Sequence, residues 1–192
     1  MRLSVSRSKF SGCRGICMNN IYLIGFMGVG KTSVGTLLAG RMECQLVDTD
    51  KLIEEAHQCE VSTIFSQFGE PHFRQLESAQ LKELSGKQGL IVSTGGGIIL
   101  SEKNVTVMRE TGIVVLLTAT PETIVQRLSH DTTRPLLQGD DKFQKIMSIL
   151  DARKEKYLGA AHFTVATDDL KLEIIAEIIV NHIHQHKGVA CG

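Results

Sequence analysis

At 192 residues, with 42% apolar and 22% charged side chains, the chain has the size and composition of one globular domain able to build its own core, which excludes a wholly disordered or fibrous protein. No apolar run approaches the length of about 18 residues that reads as a membrane-spanning helix. Twenty-one basic groups balance 21 acidic ones, yet no acid precedes Glu43 and residues 18–192 carry 17 basic against 21 acidic groups; this mildly acidic body argues against a nucleic-acid partner, and no membrane partner is expected.

Residues 1–17 (MRLSVSRSKFSGCRGIC) are rich in Ser and Arg, free of acid, and lack the apolar stretch of a secretory signal. They read as a disordered leader or as an extension upstream of a start at Met18, with a plastid transit segment as the alternative. The working domain is therefore expected over 18–192. The five cysteines, Cys13, Cys17, Cys44, Cys59 and Cys191, are odd in number and have no zinc spacing, so a reduced, cytoplasmic chain is expected. Cys44 and Cys59 read as small buried hydrophobes.

Beyond the leader, strand and helix signals alternate. Residues 21–25 (IYLIG) form a short apolar run, and a helical pattern occupies Lys31–Met42. Gln45–Asp48 reads as a second strand, followed by a helix from near Lys51. Phe73, Leu76, Leu81 and Leu84 recur at helical spacing within 70–84. Residues 90–94 (LIVST) run into Gly95-Gly96-Gly97, and 113–117 (IVVLL) form a further strand. Pro121 fits the first turn of a helix, Phe163–Ala166 is a last strand, and 170–186 a terminal helix. Short buried strands separated by helices imply a parallel sheet covered on both faces.

The segment Gly25-Phe26-Met27-Gly28-Val29-Gly30-Lys31-Thr32 matches G-x-x-x-x-G-K-[ST] between a strand and a helix. Its glycines let backbone amides turn onto phosphates, and the helix N-terminus adds positive partial charge. Gly28, Val29, Gly30, Lys31, Thr32 and Ser33 are the expected ATP contacts, with Lys31 on the β- and γ-phosphates and the Thr32 hydroxyl on Mg²⁺. The strand over 90–94 ends in glycine where such proteins commonly place a metal-holding Asp. Asp48 is therefore the expected metal support, acting through water, and Asp50 the group that takes a proton from a substrate hydroxyl or orients it. The competing reading is that one of the two caps the following helix.

Gly95, Gly96 and Gly97 lie where open parallel sheets bind ligands, beyond the carboxyl ends of strands; a flexible turn is the plain alternative. Arg74, Arg134 and Arg153 are the candidate anion holders, each in a segment that also reads as ordinary solvated helix or loop. Arg134 precedes Pro135 in a segment, 130–142, that reads as a mobile lid, where an Arg can meet the transferring phosphoryl group. His182, His184 and His186 near a helix C-terminus read as favourable partners of the helix dipole rather than as metal ligands.

The ordered set GFMGVGKTSVG, VDTD, GEPHFRQLE, STGGGII, TRPLL and ARKEKY resembles the shikimate kinase family, small members of the nucleoside-monophosphate-kinase-like P-loop group, over about residues 20–183. The resemblance implies ATP-dependent phosphorylation of the 3-hydroxyl of shikimate, giving shikimate 3-phosphate on the route to chorismate and aromatic amino acids, with Mg²⁺ as cofactor. It implies an α/β three-layer sandwich, a five-stranded parallel sheet in the order 2-3-1-4-5 with helices on both faces and a mobile lid, acting as a monomer. Lys31, Asp50 and Arg134 are then catalytic. Arg74, Gly96 and Arg153 hold the substrate, chiefly its carboxylate, with Gly95, Gly97 and Asp50 beside it, and Glu77 buttresses the arginines. Arg127 flanks the adenine. Two guanidinium groups suit a planar carboxylate better than lysine does. One departure is Leu-Gly-Ala-Ala after Tyr157, where the family usually has an acidic or polar residue before its Ala. Alternatives are another small-molecule P-loop kinase, such as a gluconate kinase, or a kinase-like binding module without catalysis. Asp48-Thr49-Asp50, the paired arginines and the triple glycine count against the first; Lys31, Thr32, Asp50 and Arg134 count against the second.

Overall fold

A computed structural model describes residues 19–129 and 142–188. The leader, Cys13, Cys17, Cys191 and the expected lid segment with Arg134 lie outside the described residues.

Five strands, β1 (Asn20–Ile24), β2 (Gln45–Asp48), β3 (Leu90–Ser93), β4 (Gly112–Thr118) and β5 (Phe163–Ala166), form one sheet in the order β2-β3-β1-β4-β5. Every neighbouring pair is parallel. The central strand β1 is apolar without alternation because both of its faces are covered, and all five of its residues are buried. Ile21 and Leu23 point into one core with Val34 and Leu38 of α1 (Lys31–Met42) and Ile175 and Ile179 of α7 (Leu172–Gly188). Tyr22 and Ile24 point into the other, with Leu81 and Leu84 of α3 (Val61–Ser85), Met108 of α4 (Glu102–Thr111) and Tyr157 of α6 (Lys142–Ala160). This is the expected three-layer arrangement.

Element ends follow local chemistry. Gly25 stops β1 one residue short of the expected end: its φ is 140°, and a Cβ there would run into the Leu117 carbonyl oxygen. α2 (Thr49–His57) begins as soon as Asp48 caps it, its side chain accepting from the amides of Asp50 and Lys51. α3 starts at Val61, well before the expected residue 70, and breaks at Gly69, where φ is 78° and ψ 167°. Pro71 then opens the second stretch, where no intrahelical N–H is needed. Glu54 Oε1 accepts from the Val61 amide at 3.0 Å, tying α2 to α3. A single 3₁₀ turn over Ile98–Leu100 follows the glycines. α5 (Pro121–Leu128) has Pro in its first turn and Thr120 as cap. α7 begins at Leu172, two residues later than expected, after a left-handed Asp169 with φ of 52°.

Two expectations about side chains need correcting or refining. Cys44 and Cys59 are half-buried rather than buried, and neither is in a disulfide, since each follows a left-handed residue (Glu43, Gln58) that turns the chain out of a helix at the surface. His182 is structural: its Nδ1 lies 3.0 Å from the Ile178 carbonyl oxygen and its ring stacks on Phe163 at 4.8 Å. Among the described residues no cluster of three or more His, Cys, Asp or Glu side chains could hold a metal, and no described helix is long and apolar enough to cross a membrane.

Candidate active site

The phosphate loop crosses the carboxyl end of β1 and enters α1. Gly28 and Gly30 take φ of 79° and 92°, conformations that only glycine adopts freely. Asp48, Ser101 and Thr120 cap α2, α4 and α5 with side-chain oxygens, but α1 has no side-chain cap at Gly30. An uncapped helix start in this position can receive an anion on its leading amides. Lys31 folds back over the loop, its Nζ donating to the carbonyls of Gly25 (2.8 Å) and Phe26 (2.9 Å). Ser33 follows on the same helix.

The Thr32 hydroxyl donates to Asp48 Oδ2 at 3.0 Å and lies 3.3 Å from Ser93 Oγ. Ser93 ends β3, the strand beside β1, where P-loop proteins commonly place a metal-holding carboxylate. Its place beside the loop is not legible in the sequence, because it depends on β3 lying next to β1. Thr32, Asp48 and Ser93 offer hard oxygen donors only. That set fits Mg²⁺, which takes one or two carboxylates together with phosphate oxygens and waters.

Asp48 caps α2 with one oxygen and meets the phosphate loop with the other: Oδ1 accepts from the α2 amides at 3.1 and 3.4 Å, while Oδ2 accepts the Thr32 hydroxyl. Asp50, in the first turn of α2, faces the triple glycine instead. A Cβ on Gly95 would stand 2.8 Å from Asp50 Oδ1 and 2.6 Å from Glu77 Oε1. The Gly95 amide donates to Thr49 Oγ1 at 3.0 Å. Gly96 faces the phosphate loop, 3.5 Å from the Gly25 carbonyl oxygen and from the Met27 amide measured from such a Cβ. On Gly97 a Cβ would collide with the Arg74 guanidinium. The glycines are thus a packed floor and not a loose turn.

Arg74 lies on α3 with Glu77. Its Nε and Nη2 donate to Glu70 Oε1 (3.1 and 2.8 Å), its Nη1 donates to Glu77 Oε2 (2.9 Å), and its guanidinium sits 5.4 Å from the Phe73 ring centroid. Glu77 is fully buried. Burial pushes its carboxyl above the usual range although Arg74 pulls the other way, and Asp50 adds to the upward push. For Arg74, burial lowers the pKa but the two glutamates outweigh it and hold the group firmly charged. Arg153 reaches the same floor from α6, its Nη1 donating to the Gly96 carbonyl at 3.3 Å. Tyr157 OH donates to that oxygen as well, at 2.5 Å.

Arg127 of α5 donates to the Gly28 carbonyl (3.3 Å) and to both oxygens of Thr167 (3.0 and 2.8 Å). Thr167, buried after β5, donates onward to the Val29 carbonyl at 3.1 Å. Sequence reasoning missed Thr167 and Tyr157, because their partners are far away in the chain. Lys31, Thr32, Asp48, Asp50, Arg74, Glu77, Arg127, Arg153 and the glycines all meet at the carboxyl end of the sheet. Arg134 lies outside the described residues.

Comparison with known proteins agrees with this geometry. The family model described as shikimate kinase matches residues 27–184. The chain is 40% identical over 172 residues to the shikimate kinase of Pelotomaculum thermopropionicum, covering 90% of this chain and 99% of that protein. The shikimate kinase from Acinetobacter baumannii in complex with shikimate superposes with a TM-score of 0.85 at 36% identity, covering 88% of this chain and 95% of that one. A gluconokinase from Sinorhizobium meliloti, at 13% identity and a TM-score of 0.54 over 89% of this chain and 94% of that one, shares the fold alone. Motif order, sheet order, site geometry and relatives agree, and the chain belongs to the shikimate kinase family.

Proposed function

We propose that this chain transfers the γ-phosphoryl group of ATP to the 3-hydroxyl of shikimate, releasing ADP and shikimate 3-phosphate, a step toward chorismate and the aromatic amino acids. The observation that carries this reading is the glycine floor: Gly95 abuts Asp50 and Glu77, Gly96 abuts the phosphate loop, and Gly97 abuts Arg74. A small polyhydroxylated anion resting there meets a carboxylate on one side, guanidinium groups on another, and the phosphate loop on the third.

In this reading Arg74 and Arg153 grip the substrate carboxylate, with Glu77 and Glu70 holding the Arg74 fork in plane. Asp50 orients the reacting hydroxyl and accepts its proton as the oxygen bonds to the γ-phosphorus and the bond to ADP breaks. Lys31 exchanges its loop carbonyls for phosphate oxygens, and the uncapped start of α1 receives the anionic chain. Thr32 would hold Mg²⁺, with Asp48 acting through water and Ser93 beside them. When bound, the ion neutralises charge on the β- and γ-oxygens. Most of the catalysis is then positioning and charge stabilisation. Arg127 is assigned to the adenine side and Arg134 to the nucleotide phosphates, the latter on sequence grounds alone. We propose action as a monomer in the cytoplasm, as the family resemblance implies.

A coupled ATP-consumption assay tests the reading. Turnover should require shikimate and Mg²⁺ and should not appear with gluconate. ATP consumption indifferent to shikimate would overturn it.

A further inference from the structure

Tyr157 has a position that the reaction as described leaves unused. Arg153 and Tyr157 are four residues apart on α6, so they share a helix face and reach the same target. Both donate to one atom, the Gly96 carbonyl oxygen: Tyr157 OH at 2.5 Å and Arg153 Nη1 at 3.3 Å. The tyrosine ring is buried in the core between α6, α4 and the sheet, so the hydroxyl is carried on a rigid mount. Gly96 is the glycine that faces the phosphate loop. Its peptide has no side chain of its own to fix it.

A trans peptide points its C=O and the following N–H in opposite directions. Pinning the Gly96 carbonyl therefore sets the direction of the Gly97 amide, next to the Arg74 guanidinium. The shared acceptor also holds Arg153 Nη1 against the floor, which orients the rest of the fork. Burial pushes the phenol up to about 12, with the neighbouring Arg153 pulling the other way, so the hydroxyl stays a donor throughout the working pH range.

We infer that Tyr157 is a positioning residue for the acceptor substrate: by clamping the Gly96 carbonyl together with Arg153, it sets the floor and the guanidinium that receive the substrate anion. This rests on the assignment of Arg153 and Gly96 to substrate binding.

The test is steady-state kinetics on Tyr157→Phe, which removes only the oxygen. The KM for shikimate should rise about three- to tenfold, the range for one lost hydrogen bond, because the floor is used equally in ground and transition states. The KM for ATP should stay unchanged and kcat should stay within about twofold. The control is Tyr22→Phe, which loses a comparable buried hydroxyl contact with Thr111 at 2.7 Å on the far end of β1. It should lower Tm without moving either KM. A Tyr157→Phe enzyme with a lower Tm and an unchanged KM for shikimate overturns the inference, as does an equal rise in both KM values. Failure of the wild-type chain to use shikimate would instead overturn the assigned reaction, so the two failures are separable. A second measurement needs no variant at the site. The chain has two tyrosines, so 3-fluorotyrosine labelling gives two ¹⁹F signals, which Tyr22→Phe assigns. Saturating shikimate should shift the Tyr157 signal and leave that of Tyr22 in place; an unmoved Tyr157 signal overturns the inference even if Tyr157→Phe does not fold.

Discussion

Asp48 accepts the Thr32 hydroxyl through Oδ2 at 3.0 Å while its other oxygen caps α2. The two duties can be separated by substitution. Asp48→Asn keeps an N-cap acceptor of about equal quality, so its Tm should stay close to that of the wild type. It removes the charge facing Thr32, so the Mg²⁺ concentration for half-maximal activity should rise and kcat should fall. Asp48→Ala should add a stability loss of about 1 kcal/mol from the missing cap. Thermal unfolding and Mg²⁺ titration of both variants read the two effects independently; equal Tm losses would show that the charge, and not the cap, stabilises this corner.

Asp50 lies in the first turn of α2 but faces Gly95 rather than the helix amides, so Asp50→Asn should leave the fold intact. Turnover should drop about 10²–10⁴-fold, the range for a lost general base, with the KM for ATP little changed. Single-turnover phosphoryl transfer is the appropriate measurement. Near-normal turnover would remove Asp50 from the chemistry.

Glu77 gives a pH signature with a definite sign. Its carboxyl is raised above the ordinary value of 4.5, burial being the largest cause. The folded state thus binds the proton more tightly than the unfolded state does. The corresponding stability is fully present below pH 4.5 and is lost as pH rises through the folded pKa. Glu77→Gln cannot titrate, so the wild-type advantage over this variant should shrink steadily as pH rises through that window. Melting curves of the two proteins across pH test it. A difference independent of pH would mean that Arg74 cancels the burial. The variant should also raise the KM for shikimate, because Arg74 loses its Nη1 anchor.

Much of this site was legible in the sequence because its residues sit in short contiguous motifs. The buried strands declared themselves as apolar runs, and Gly25–Thr32 carried its own context. The parts that were not legible depend on contacts across the chain. Tyr157 reads as an ordinary helical aromatic until Gly96 is found beneath it. Ser93 gains its meaning only when β3 is placed beside β1. The helix over Glu102–Thr111 has few apolar residues (EKNVTVMRET), and buries only Asn104 and Met108, so periodicity gave little sign of it. Gly69, which breaks α3 with a φ of 78°, looks in the sequence like one more residue of the GEPHFRQLE motif, since a positive φ leaves no mark on the pattern.

The arginines divide by what holds them. Arg74→Lys should raise the KM for shikimate even though charge is kept. A lysine ammonium cannot bridge Glu70 and Glu77 and still present a flat fork to a carboxylate. The same holds for Arg153→Lys, with the added loss of the Gly96 contact. Both should act mainly on KM, since the carboxylate is remote from the reacting hydroxyl. A selective fall in kcat would place them at the transferring phosphoryl instead.

Arg127 should behave differently, because its guanidinium holds protein rather than the acceptor substrate. It joins Gly28 of the phosphate loop to Thr167 at the end of β5, and Thr167 returns to the loop at Val29. This closed set of hydrogen bonds fixes the loop against the strand beyond it. Thr167→Val keeps the shape and removes the hydroxyl, leaving the buried Val29 carbonyl short of a donor, while the Thr118 carbonyl keeps the Thr167 amide at 2.8 Å. A stability loss of about 1–3 kcal/mol follows from that desolvation. Its KM for ATP should rise, while the KM for shikimate should stay near the wild-type value. Arg127→Ala should raise the KM for ATP further, since it removes the same brace and any direct contact with the nucleotide. The double variant should then fall short of the sum of the two single effects, because one network is lost in both cases. Full additivity would mean that Arg127 and Thr167 act on ATP by separate routes.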